Sequence, residues 1–356
     1  MAGAGWGRAA GRGAPPSDDG ALRRARAAVL GERVMPARRA DSVTRRQERG
    51  AALIVVLLLV ATLAFLLLSI ANIVTGGVRR ASSERARSEL FWRAAAAEEI
   101  ADQVLKKYAA SKPAKMSREE GIFAGQLDLP FEEGEGAIAF FDATNCFNVN
   151  SLVNNGQEDP SESAKFVELM SMIGLGGGEA ERLKNVIVDF LDTELAPLPE
   201  GAEDNFYTAL PTPYRTADRA VASVSELRAM DRVSRGLYQR IRPYLCALPD
   251  RSPTKININM ASENHAPLIA ALLPPGETRP SVEDVRAALE ARPPGGYSDP
   301  AAVPPELSAA GYALVSNLVE ARLRLEVNDV TMEEVLLFEI KSDGVELLAR
   351  AFGDEL

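Results

Sequence analysis

The chain has 356 residues, 46% apolar and 25% charged, enough for one membrane anchor and two or three small domains. Residues 1–50 hold 11 Arg against 5 acidic residues, whereas the remainder holds 29 basic against 45 acidic residues, a net of −16. An acidic body lacks the excess of Lys and Arg that neutralises phosphates, so no nucleic-acid partner is expected, while divalent cations suit it.

Residues 1–34, rich in Ala, Gly and Arg, show neither apolar periodicity nor a motif. They read either as a cytoplasmic tail without fixed structure or as an overextended start; the second reading is preferred, Met35 then opening a basic leader of 16 residues. Arg45, Arg46 and Arg49 close this leader, and no charged residue occurs from Ala51 to Val78. That apolar run exceeds the roughly 20 helical residues that cross a bilayer. It is too long for the apolar region of a signal peptide, which would be about 7–15 residues ending at a small-residue cleavage site. The basic flank holds the N-terminus in the cytoplasm and sends the rest outside.

Beyond Val78 the helical pattern continues, with Leu90, Ala94, Ala97, Ala101, Val104, Leu105 and Tyr108 recurring at spacings of mostly three and four. Gly76–Gly77 is expected to loosen this helix near the membrane surface and Pro113 to end it. Short strands are predicted at 122–127 and within 135–150. Helices are predicted from a Ser161 cap to about 175, at 179–195 and at 224–245, with the glycine run 174–178 as a helix end and turn rather than a phosphate loop. A second helical unit spans 255–297. Strands then return over 312–327, 330–341 and 345–353, separated by Asn328–Asp329 and by Ser342–Asp343–Gly344, where Asp-Gly is a strong hairpin signal. The expected fold class is α+β. A transmembrane and spine helix packs on an antiparallel sheet that begins before, and finishes after, a large all-α insertion. The boundaries drawn are a leader 1–50, a transmembrane helix 51–78, spine and first strands 79–145, an inserted helical domain 146–250, a second helical unit 251–304 and a C-terminal sheet 305–356.

The junction of Gly50 with the apolar run starting at Ala51 resembles the class III leader of type IV pilins and type II secretion pseudopilins, which prepilin peptidase cuts after the glycine and whose new N-terminus is methylated. Most such subunits carry a glutamate at the fifth mature position; here Val55 stands there and the run holds no carboxylate, a departure shared with the large minor pseudopilin K. The segment FFDATNCFNVNSL, from Phe140, resembles the point at which K pseudopilins leave the pilin sheet for an inserted helical domain. From Arg45 onward the chain is thus similar to the K pseudopilins. The resemblance implies a single-pass inner-membrane protein with a periplasmic C-terminal domain, placed at the tip of a short pseudopilus. There it would start or cap assembly for the export of folded proteins, with minor pseudopilins I and J and other pseudopilins as partners.

KININMASENHAPLIAALLP with ARPPGGYSD, and VSELRAMDRVSRGLYQRIRPYL, also resemble helix-hairpin-helix or SAM-like modules, but the corresponding turns, LLPPGE and MDRV, lack the Gly-apolar-Gly that presents backbone amides to phosphate. Other readings are a plain bitopic periplasmic protein-binding module, which would not be processed after Gly50, and a membrane-tethered DNA receptor, which would bind duplex with a steep salt dependence.

No enzyme is expected. His265 is the sole histidine and reads as a surface or packing residue, no zinc ligand set accompanies it, and no nucleophile elbow or Walker loop occurs. Over VDFLDTELAPLPEGAEDNFY the chain gathers Asp189, Asp192, Glu194, Glu203 and Asp204 around a proline-containing loop. Such a cluster is either a solvated acidic loop or an oxygen-rich cation site, and EF-hand spacing is absent. Its similarity to the K-family segment D-x-L-D…GAED-x-x-Y implies calcium, with Asp189, Asp192, Glu203 and Asp204 as ligands. Cys146 and Cys246 are the only cysteines; in an oxidising compartment they read as one disulfide or, alternatively, as two buried thiols.

Overall fold

A computed structural model describes residues 44–131, 134–276, 279–308 and 311–353; the leader before Thr44, with Met35, lies outside the described residues. The chain divides into two units, residues 1–72 and 73–356. A single helix, α1 (Thr44–Ala110), runs from one into the other. It continues through Gly76–Gly77 without a break, contrary to the expected loosening: two glycines weaken a helix by only about 2 kcal/mol, less than its many flanking Leu and Ala residues supply. It stops at Ala110, where Lys112 takes a positive φ of 46° just ahead of Pro113. Within the first unit the apolar side chains of α1 are uncovered, Leu57 being 60% exposed, as a lipid-facing helix requires. Among the described residues this is the one helix long and apolar enough to cross a membrane.

In the second unit the residues of α1 that recur at helical spacing, Ala86, Leu90, Ala94, Ala97, Ala101 and Leu105, are all buried and form one stripe. The stripe packs on a five-stranded antiparallel sheet of β1 (Gln126–Asp128), β2 (Glu135–Asp142), β9 (Leu318–Val327), β10 (Val330–Lys341) and β11 (Gly344–Phe352), in the order β1-β2-β9-β10-β11. Alternation decides the faces: Val319, Ala321, Leu323 and Leu325 point to the helix, and Glu320, Arg322 and Arg324 point away. Asn328 and Asp329 both adopt positive φ, which gives the β9–β10 hairpin the two-residue turn whose twist matches its strands.

Two predicted strands are shorter than expected. Residues 121–123 form a 3-10 turn, so the 122–127 strand shrinks to β1. The strand predicted from 312 is interrupted: β8 (Tyr312–Ala313) pairs in parallel with β7 (Ile256–Asn257), and the main sheet resumes only at Leu318, after the Ser316 side chain accepts from the Leu318 N–H.

Everything between β2 and β9 is insertion. Beyond β3 (Phe147–Asn148) and a two-residue hairpin of β4 (Val153–Asn154) and β5 (Gln157–Glu158), helices α2 (Pro160–Met172), α3 (Gly177–Leu191) and the single turn α4 (Asp204–Tyr207) follow. Next come α5 (Arg235–Ile241), β6 (Leu245–Cys246), β7, α6 (Ala266–Leu272) and α7 (Val282–Glu290). The cap of α2 is Asp159, not Ser161, because Pro160 occupies the first helical position, where its missing N–H costs nothing. Gly174, at φ 90°, ends α2, while Gly176 caps α3, so the glycine run closes one helix and opens the next. The predicted helix 224–245 is broken into a 3-10 turn, α5 and a second 3-10 turn, because Arg232 sits at φ 57° and Ser234 caps α5 anew. One apolar core runs from Phe147 to Leu314, across both helical segments.

The neck of the insertion is held by asparagines whose side-chain amides bind remote backbone. Asn150 donates to the Val221 and Leu248 carbonyls at 2.9 and 2.8 Å and accepts the Val221 N–H at 2.9 Å. Asn148 accepts the Leu248 N–H and donates to the Asp250 carbonyl. Asn145 pairs likewise with Asn257, and Asn259 with Tyr297. The parallel pair β3–β6 crosses the same neck, and there Cys146 and Cys246 form a disulfide with Sγ atoms 2.06 Å apart.

Candidate functional site

The acidic constellation is built on the C-terminal end of α3, which stops at Leu191 rather than at the predicted 195. Asp189, 1% exposed, accepts the Leu198 N–H on both carboxylate oxygens, at 3.1 and 3.2 Å. The proline loop is thereby folded back on the helix, and the Asn185 side chain holds it further by donating to the Pro199 carbonyl at 2.8 Å. Gly201 is required for this approach, since a Cβ there would lie 1.9 Å from Asp189 Oδ2. Gly201→Ala is therefore expected to cost about 1–3 kcal/mol in a melting experiment through overpacking. Gly178→Ala, whose Cβ meets nothing within 4 Å inside α3, serves as a control that stabilises slightly.

Asp192 follows the helix end, 6% exposed, and accepts only the Glu194 N–H, at 3.1 Å. Glu203, 4% exposed, lies among these carboxylates with neither oxygen in a hydrogen bond. Burial, reinforced by Asp189 and Asp192, pushes the Glu203 carboxyl up to about 7. Burial, with Asp189, Glu194 and Asp218 adding to it, pushes Asp192 up to about 6. Asp189 is also raised, chiefly by burial, against the bonds it accepts from the backbone of the loop.

Asp204 stands apart from this group. Its carboxylate accepts from Thr216 N–H and Oγ1 at 3.0 and 2.9 Å and from Arg215 at 2.8 Å, and those bonds, led by the Thr216 N–H, hold it below the usual carboxylate range. Its contacts fold residues 204–216 into a loop. Asp218 is exposed, its N–H bonded to the Phe190 carbonyl at 3.2 Å, and its charge is the least of those that raise Asp192 and Glu203. Asp218 lies beyond a second proline loop, and its only signal in the sequence is one more aspartate. The asparagine staples were equally missed, although Asn148–Asn150 and Asn257–Asn259 each repeat at a spacing of two where a two-residue strand gives way to a turn, and a side chain that can replace missing backbone bonds is the natural reason for a buried amide there.

Chemically the site is a buried surplus of negative charge with an orphaned carboxylate. Such a group is costly unless protonated or met by a cation. Among the described residues no three His, Cys, Asp or Glu side chains converge closely enough to ligate one ion as they stand. The donor chemistry nevertheless fits a hard divalent cation: oxygen ligands only, with two unsatisfied oxygens on Glu203. His265 belongs to packing: its Nδ1 meets the Ser262 N–H at 2.8 Å in a cap before α6, and burial lowers its pKa.

An uncovered N-terminal helix long and apolar enough to cross a membrane, a helix-backed antiparallel sheet and a helical insertion define a pilin-like subunit. The chain belongs to the type II secretion system protein K family. Family models for type II secretion system protein K match residues 145–250 and 256–323. Type II secretion system protein K of Pectobacterium carotovorum subsp. carotovorum is 30% identical over 314 residues, which cover 81% of this chain and 92% of that one. The protein of the same name from Aeromonas hydrophila is 29% identical over 294 residues, covering 75% and 88%. The fold is also that of a chain in the crystal structure of the GspK-GspI-GspJ complex from the enterotoxigenic Escherichia coli type 2 secretion system. The TM-score is 0.65 at 24% identity, covering 77% of this chain and 99% of that one. The family supplies a structural pseudopilin component of the secretion machinery.

Proposed function

We propose that this chain is the minor pseudopilin at the tip of a type II secretion pseudopilus, where it starts or caps assembly beside minor pseudopilins I and J. The observation that carries the reading is the architecture of the insertion: about half the chain leaves the sheet between β2 and β9 as one closed body. A subunit bearing that bulk obstructs addition beyond itself, which suits an end position. The partner assignment is supported by the composition of the complex that contains the structural neighbour.

In this reading prepilin peptidase cuts between Gly50 and Ala51 and the new terminus is methylated. The apolar part of α1 then anchors the chain in the inner membrane, with the N-terminus cytoplasmic and the folded body in the periplasm. Val55 supports the end position, since a subunit with no carboxylate there has no charge to pair with the terminal amine of a neighbour. Asp189, Asp192 and Glu203, joined by Asp218, would hold calcium, whose charge would neutralise the buried carboxylates and tie the loop after α3 to the core. Asp204, committed to Thr216 and Arg215, serves the loop rather than the ion.

The test is intact-mass and N-terminal sequencing after coexpression with and without prepilin peptidase. Loss of residues 1–50 with Ala51 as the new terminus is expected. An uncut chain beside a processed control pilin would leave a plain bitopic anchor and remove the pseudopilin reading.

A further inference from the structure

The sheet meets the insertion around one carboxyl. By the alternation of β2, Asp142 shares a face with the buried Ile138 and Phe140, on the α1 side, at the point where the chain leaves the strand. Its Oδ1 accepts from the Thr144 N–H and Oγ1 at 2.6 and 2.5 Å, which sets the turn out of the sheet. Its Oδ2 is buried and has no partner.

Three other segments converge there. Tyr108, near the end of α1, has a buried hydroxyl without a partner, and the Asp142 charge adds to burial in pushing that phenol up to about 12. Asn257, from β7 in the insertion, brings a buried Nδ2 that also lacks a partner in hydrogen-bond geometry. Ser316 stands where the chain returns to the sheet, and the side chains of Asn257 and Ser316 both lie near enough to the carboxyl to favour its charge. Asn145 then ties the turn to β7, donating to the Asn257 carbonyl at 3.2 Å and accepting the Asn257 N–H at 2.9 Å. The strand that leaves the sheet, the one that crosses the neck and the segment that returns thus surround a single acid.

Burial pushes Asp142 up to about 6, outweighing the Thr144 bonds and the Asn257 and Ser316 side chains. The charged and titratable groups that line the neck cleft with it are Arg118, Arg242, His265, Glu320 and Arg322. Glu320 pairs with Arg322, Arg242 is already engaged, and no cation pairs with Asp142 among the described residues. His265 works in the opposite sense: burial lowers its pKa, so its share of stability weakens as pH falls.

Ionised, the Asp142 carboxylate is costly in this buried place; as a neutral acid it loses that cost and gains an O–H to donate to the Tyr108 hydroxyl. We infer that Asp142 is a proton-operated latch at the neck, which seats the insertion on the sheet when protonated and loosens that joint when ionised, while the sheet and the insertion core each stay folded. The inference is independent of N-terminal processing and of calcium. The folded carboxyl holds its proton more tightly than an unfolded aspartate near 4, so the stability it lends the neck is full at low pH and is lost as pH rises from about 4 to about 6.

The experiment is hydrogen exchange read by mass spectrometry on the full chain in detergent micelles with EGTA, at pH 5 and 7.5, with rates corrected for intrinsic base catalysis. Protection of residues 142–148 and 256–260 is expected to fall roughly tenfold between the two, as a carboxyl moved from about 4 to about 6 implies, while β9 and β10 keep theirs. Asp142→Asn, which mimics the neutral acid, should hold the neck at one level across the range. Glu203→Gln should leave the neck's response intact, separating it from the acidic site after α3. A carboxyl 13C titration of the native chain supplies a measurement that needs no variant, with the Asp142 midpoint expected near 6. A neck equally protected at both pH values, a response that survives in Asp142→Asn or vanishes in Glu203→Gln, or an Asp142 midpoint at the ordinary value near 4 would overturn the inference.

Discussion

Removing the Cys146–Cys246 bridge is expected to produce the largest single loss of stability in this chain. The bridge spans 100 residues of sequence, and a loop of that length restricts the unfolded chain by up to about 4–5 kcal/mol in the chain-entropy model. Whole-domain stabilities are of the order of 5–15 kcal/mol, so the loss approaches the total. The measurement is the urea midpoint of the Cys146→Ser/Cys246→Ser variant against the native chain, each with and without reductant. Reductant should destabilise the native chain alone. If reduction leaves the midpoint where it was, the asparagine staples and the β3–β6 pair hold the neck by themselves, and the bridge is incidental.

The second large effect concerns pH and calcium together. The carboxyls of Asp192 and Glu203 titrate at about 6 and about 7 in the folded chain, above their ordinary values. The folded state therefore holds more protons than the unfolded state across the window from about pH 4 to pH 7. The stability linked to these groups is highest below that window and falls as pH rises through it. Without calcium, the melting temperature should thus rise by several degrees when pH drops from 7.5 to 5, at about 2–4 °C per kcal/mol for a body of this size. Calcium at about 100 times its dissociation constant should add about 2.7 kcal/mol at pH 7.5 and much less at pH 5, where protons compete for the same oxygens. Glu203→Gln should raise the calcium-free melting temperature at pH 7.5, flatten its pH dependence and blunt the response to calcium. Asp204→Asn should destabilise the loop through Thr216 and Arg215 and leave the calcium response largely in place. A calcium-free melting temperature that is level from pH 5 to 7.5 would show that the carboxylates are solvated, and the cation reading would fall with it.

Much of the architecture can be read along the chain because it depends on local pattern. The charge-free run from Ala51 to Val78, the stripe from Leu90 to Leu105 and the alternation through Leu323 and Leu325 are each a period that one element imposes on its own residues. The turn at Asn328–Asp329 is likewise decided by which residues tolerate positive φ. Where such a pattern was read too far, local signals inside it broke it. The helix predicted over 224–245 is cut by Arg232 at positive φ and by Pro243, and Ser223 and Ser234 each cap a separate short piece.

The site itself was legible only as a density of carboxylates. Asp204 is adjacent to Glu203 in sequence, but backbone direction turns it to Thr216, while the exposed Asp218, 14 residues further on, adds a smaller charge to those that raise Asp192 and Glu203. The sequence by itself determined the long apolar run, the spine, the C-terminal hairpins and the presence of a helical insertion, because periodicity and turn chemistry act over a few residues. Only the tertiary structure decided which carboxylates are driven out of water together, which asparagine binds which remote segment and how the sheet closes across the insertion. Those depend on contacts such as Asn150 with Val221, 71 residues apart, and on burial, which no residue carries in its own identity.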